Sequence, residues 1–110
     1  MGSNTAQDER QNDRYRLEVL ADVAGQILQA YFLREDLYRG VNTIGIYASC
    51  YLDERVLETI KDFIESRGRN PFRGIHCKIL NSQGLGESGE NIAERYDIMP
   101  YLDRALLGLK

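Results

Sequence analysis

Tryptophan is absent from this 110-residue chain, histidine occurs once, and cysteine and proline occur twice each. One histidine with Cys50 and Cys77 falls short of the four clustered ligands of a structural zinc site, so no metal is expected. Apolar runs are only a few residues long, which excludes a membrane-spanning helix of roughly 20 residues and a membrane partner with it. No apolar stretch follows a basic start, so no signal peptide is read and a cytoplasmic location is expected. Thiols stay reduced there, and both cysteines read as small buried hydrophobes rather than a disulfide. Charge of one sign is also lacking: 17 acids face 14 bases, a net charge of -3, which excludes a generally nucleic-acid-coating surface.

What remains is ordinary globular material, 43% hydrophobic and 28% charged, enough for one domain and unlike a disordered or collagen-like chain. Residues 1–12 show no apolar periodicity and read as a disordered N-terminal tail; residues 13–110 read as a single α/β domain. From Asp13, a plausible N-cap, Leu17, Leu20, Ala24, Ile27, Leu28 and Tyr31 recur at helical spacing, widened by Val19, Val23 and Leu33. Gly40 stands where a stop is expected, giving a first helix of about twenty residues.

The period then changes. Ile44, Ile46, Ala48, Cys50 and Leu52 alternate with Thr43, Gly45, Tyr47, Ser49 and Tyr51, a strand that points Cys50 into the core. Asp53 caps a second helix whose buried stripe is Val56, Leu57, Ile60, Phe63 and Ile64, ended by Gly68. Ile75, Cys77 and Ile79 alternate with His76, Lys78 and Leu80 in a second strand. Strand, helix, strand makes a βαβ unit with parallel strands. Residues 81–90 read as a loop, Glu90–Tyr96 as a short helix, and Pro100 suits the first turn of a last helix. The order is α-β-α-β-α.

Two parallel strands scarcely make a stable sheet. Either a third strand lies in residues 91–99, or a second subunit completes the sheet; the homodimer is the expectation. The strand–turn–helix at 43–67 resembles units of flavodoxin-like and toll-receptor-like folds, which are too common to identify one.

Motifs add little. Gly84, Gly86 and Gly89 spell G-x-G-x-x-G, but too little chain follows for the next strand and its ribose-binding acid, and Glu87 and Glu90 would repel phosphate, so a flexible loop is expected. Cys50 to Arg55 resembles the phosphate loop of cysteine-dependent phosphatases, yet it is one residue short, lacks glycine and carries two acids. Tyr47, Ser49, Tyr51, Asp53 and Glu54 are the ligand-binding candidates, because the C-terminal ends of strands in open α/β sheets receive ligands. A carboxylate there, Asp53 or Glu54, would serve as base or hold a ribose hydroxyl. Arg67, Arg69, Arg73 and Lys78 are the anion-binding candidates, in a run without acids beside Asn70, Phe72 and His76. Phe72 would stack on a base if the partner were nucleic acid.

Seven tyrosines suit an interface. With no catalytic constellation assignable and no cofactor expected, the leading expectation is a non-catalytic interaction or regulatory protein acting as a homodimer. The alternatives are a nucleotide- or phosphate-binding protein or small enzyme with its site at Ser49–Glu54, and local nucleic-acid binding through Arg67–Lys78.

Overall fold

The computed structural model describes residues 15–34, 42–67, 74–87 and 91–108. The tail at 1–12, Asp13, Gly40, Gly68, Arg69, Arg73 and Gly89 lie outside the described residues. The elements are α1 (Leu17–Phe32), β1 (Thr43–Tyr47), α2 (Glu54–Arg67), β2 (His76–Ile79), β3 (Glu94–Asp97) and α3 (Ile98–Leu107).

Helix α1 forms for the reason its spacing gives: Val19, Leu20, Val23, Ala24, Ile27, Leu28 and Tyr31 are buried along one broad face. It runs 16 residues, and its ends differ from expectation. No side chain caps it; the Arg16 carbonyl accepts from Val19 N–H at 2.9 Å and Leu20 N–H at 3.1 Å. Leu33 falls just past the last turn and is 75% exposed, and Leu17, in the first turn, is 67% exposed. Arg34, beyond the helix, pairs with Glu94 of β3.

Among the described residues the sheet has three parallel strands in the order β2-β1-β3. Strand β3 is the third strand that residues 91–99 left open, and it replaces the short helix expected at Glu90–Tyr96. Its sequence, Glu94-Arg95-Tyr96-Asp97, has only Tyr96 buried, so no alternation marks it. Pairing with β1 makes it a strand, which is tertiary context overriding local propensity. Strand β1 is also shorter than the run 43–52, because Ile46 and Tyr47 pair with Ile79 and Asp97, the last residues of β2 and β3. Past Tyr47 there is no ladder to join. Cys50 is therefore exposed on the turn that follows instead of entering the core.

Side-chain parity divides the sheet into two faces. Ile44 and Ile46, both fully buried, share a face with Cys77 and Tyr96, and against it lies the helix layer, where α1 packs between α2 and α3. Isoleucine dominates the fully buried set, with Ile27, Ile44, Ile46, Ile60, Ile64 and Ile98 beside Val19, Val23 and Leu102. Each such side chain contributes about 1.5–3 kcal/mol by leaving water.

The opposite face is covered by the connection from β2 to β3, which crosses β1. Leu80 is 4% exposed although its place in the alternation predicts an outward residue. The reason is Gly45: a Cβ there would lie 2.5 Å from Leu80 Cδ1 and 3.4 Å from Ile92 Cγ2. Glycine at the centre of β1 lets the crossover lie directly on the backbone. Gly84 makes a second close approach, with φ of 76° and room for Tyr47 only because it has no side chain. The start of this segment is thus a built turn: Asn81 Oδ1 accepts Gln83 N–H at 2.9 Å and Leu85 N–H at 3.1 Å. A strand does follow it, contrary to the argument from chain length.

Gly45→Ala is expected to lower stability by about 1–3 kcal/mol through overpacking. In a Leu80→Ala background the same substitution should cost far less. Urea denaturation of the four-member cycle measures this coupling, and additive effects would show that Leu80 does not rest on Gly45.

Candidate functional site

The C-terminal ends of the strands carry the rim proposed from sequence. Here β1 feeds the turn 48–53 into α2, and β3 feeds α3 with no intervening loop. Each helix start needs acceptors for its first amides, and each finds one within the chain. Asp53 Oδ1 accepts Arg55 N–H at 3.0 Å, as the capping expectation held, and Oδ2 lies 3.4 Å from Arg55 Nη2. The Arg55 backbone amide foremost, and then its guanidinium, hold the Asp53 carboxyl below its usual range against a smaller effect of burial. Asp97 Oδ1 accepts Met99 N–H at 3.1 Å, capping α3, and also Ser49 N–H at 3.2 Å. One carboxylate oxygen thereby ties the turn after β1 to the start of α3.

Asp97 is absent from the residues singled out by sequence. Its signal is modest: an Asp three places before Pro100, at the start of an apolar-periodic segment.

The five rim candidates separate. Tyr51, Asp53 and Glu54 line one open cleft of about 620 Å³ with Ala48, Leu57 and Leu80 in its lining and Glu58 at its edge. Tyr47 is half-buried on the face of the sheet away from the helices, its ring against Gly84. Ser49 faces solvent with its amide on Asp97. Tyr51 is 98% exposed and also borders a second cleft of about 360 Å³, between the first turns of α1 and α2, whose lining includes Tyr15, Leu17, Leu20 and Val56.

The anion-binding candidates do not form one surface among the described residues. Arg67 Nη1 donates to the Ala21 carbonyl at 3.0 Å, and its guanidinium lies 5.6 Å from the Phe63 ring centroid, which fixes it in the helix layer. Lys78 pairs in register with Gly45, so it belongs to the opposite face of the sheet. Arg67 also ends α2, at the N-terminal end of the strands, away from Ser49.

Among the described residues no three His, Cys, Asp or Glu side chains are grouped to hold a metal ion, and no helix is long and apolar enough to cross a membrane. Beside β2, Glu65 Oε1 lies 3.0 Å from Lys61 Nζ while Oε2 accepts Cys77 N–H at 3.3 Å. Burial raises the Glu65 carboxyl, but Lys61, the Cys77 amide and His76 together outweigh it and leave it lowered. This carboxylate supports the fold above its unfolded value of 4.5 and ceases to as pH falls through its depressed folded value. No protein-family model, curated protein or solved structure matches the chain.

The two thiols should differ sharply. Cys50 is exposed, whereas Cys77 is buried and its thiol is pushed up to about 12, by burial first and by Glu65 next. A thiol-reactive chromophore at neutral pH should titrate Cys50 alone in the native chain and both cysteines in denaturant. Rapid native labelling of Cys77 would show that its strand is not packed under α2.

Proposed function

We propose that this chain is a small non-catalytic interaction protein, regulatory in role, that acts as a homodimer. The observation that carries this reading is the contrast at the rim of the sheet. The starts of α2 and α3, where an open α/β sheet would receive a phosphate, are occupied by Asp53 and Asp97 of the chain itself. Beside them, Leu17 and Tyr51 stand 67% and 98% exposed along one cleft.

A phosphate or nucleotide at Ser49–Glu54 has less support. Asp53, Glu54 and Glu58 all border that cleft, and the Arg67 guanidinium is bound to α1 instead of facing it. For nucleic-acid binding through Arg67–Lys78, the described ends of the run, Arg67 and Lys78, lie on different faces, and residues 68–73 lie outside the described residues.

The third strand changes what a second copy has to supply. The three-stranded sheet no longer needs a partner for its minimum size. Exposed apolar and aromatic area favours association instead, since aromatic residues are enriched at protein interfaces. The expected partner surface is the cleft formed by Tyr15, Leu17, Leu20, Tyr51 and Leu52.

Sedimentation equilibrium should give a dimer at micromolar concentration. Leu17→Glu with Tyr51→Glu should weaken the dimer at least about a hundredfold, as loss of interface anchors does. A wild-type chain that remains monomeric throughout the concentration series would remove the homodimer.

A further inference from the structure

Among the described residues, the outer edge of β2 ends the sheet on one side. Along a parallel strand, successive residues direct their amides to opposite neighbours. His76 N–H goes to the Asn42 carbonyl at 3.0 Å and Leu80 N–H to the Ile46 carbonyl at 2.8 Å, both toward β1. Cys77 N–H, at the alternate phase, points away from β1 to where a further strand would lie. Glu65 Oε2 meets it there at 3.3 Å. The carboxylate is held in place by Lys61, one turn earlier on α2, at 3.0 Å.

We infer that Glu65 is an edge guard: its carboxylate replaces the carbonyl of an absent neighbouring strand and keeps β2 from pairing with a second copy of the chain. An exposed strand edge is a template for sheet extension, and proteins block such edges with charge and with covering elements. Here the cover comes from α2, the helix that already packs on β2.

A second feature of the same edge acts in the same direction. His76 and Lys78 are exposed on β2. Two-fold antiparallel pairing centred on Lys78 would set the two ammonium groups opposite each other. Like charges directly opposite oppose pairing. Parallel pairing of β2 with β3 of the next copy avoids that clash, but it does not close and would continue into an open-ended assembly. Filling the Cys77 amide hinders both routes.

The guard is separate from the association proposed for the Leu17–Tyr51 cleft, and the experiment keeps them apart. Sedimentation velocity across a concentration series compares the wild type with Glu65→Ala and Glu65→Gln, each also in the Leu17→Glu/Tyr51→Glu background. Glu65→Ala should form assemblies beyond the wild-type size, with self-association strengthened at least about tenfold, in both backgrounds, because the edge amide then meets only exchangeable water, which a neighbouring strand's carbonyl displaces more readily than a fixed carboxylate. Glu65→Gln keeps an oxygen for Cys77 N–H and should behave as the wild type. Lys78→Thr added to Glu65→Ala should strengthen association further.

Identical size distributions for the wild type and Glu65→Ala would overturn the guard, as would equal association of Glu65→Ala and Glu65→Gln. If circular dichroism shows Glu65→Ala unfolded, amide exchange decides the matter. The Cys77 amide should be protected in the wild type and in Glu65→Gln, and exchange at the rate of an open amide would overturn the assignment.

Discussion

Strand β1 has neighbours on all four sides, and that enclosure organises everything else. Its two edges are hydrogen-bonded to β2 and β3, one face lies under the helix layer, and the other lies under the β2–β3 crossover. The demands on its five residues follow directly. Ile44 and Ile46 must be apolar to face the helices, and Gly45 must lack a side chain to admit Leu80 and Ile92. A strand enclosed in this way cannot lengthen independently of its partners. Its C-terminal end is therefore set by Ile79 and Asp97, which in turn decides that Ser49, Cys50 and Tyr51 form an exposed turn.

That turn meets the starts of α2 and α3, the place where this architecture usually offers unused amides. The chain uses those amides internally. Asp97 accepts from both Ser49 and Met99, and Asp53 accepts from Arg55. Capping typically stabilises a helix by about 1 kcal/mol. Asp97 also ties the turn after β1 to the start of α3. The rim becomes a joint, and the exposed chemistry shifts to apolar side chains such as Leu17 and Tyr51.

How much of this was legible in the sequence depended on whether a residue's role was set locally. The buried stripes of α1 and α2 were readable because 3.6-residue spacing is a property of one helix, and Asp53 was readable because a cap acts within one turn. The inward set Ile44, Ile46, Cys77 was readable from alternation. Strand β3 was not, since Glu94-Arg95-Tyr96-Asp97 becomes a strand only by contact with β1, and a polar edge strand has no periodicity to show. Cys50 was misread for the same reason: parity persists along a sequence past the point where the ladder ends. Leu80 looked outward until a glycine on another strand gave it a buried place. Of the rim candidates, Tyr51, Asp53 and Glu54 share a cleft, whereas Tyr47 and Ser49, placed with Tyr51 by strand alternation at the C-terminal end of β1, do not line it. Asp97 shows only its local capping role in the sequence, while its bond to Ser49 and that of Glu65 to Cys77 act across elements and leave almost no sign there.

Three carboxylates, Asp53, Asp97 and Glu65, do related work. Each accepts a backbone amide that secondary structure leaves over, two at helix starts and one at a sheet edge. A domain this small has few elements available to cover such groups, and an amide left without a partner costs about 1–3 kcal/mol when buried. Side-chain acceptors supply the cover without extra chain. They leave the amides of Arg55, Met99 and Cys77 satisfied within the chain. Exposed apolar side chains remain, and two of them, Leu17 and Tyr51, lie together along the cleft between the first turns of α1 and α2.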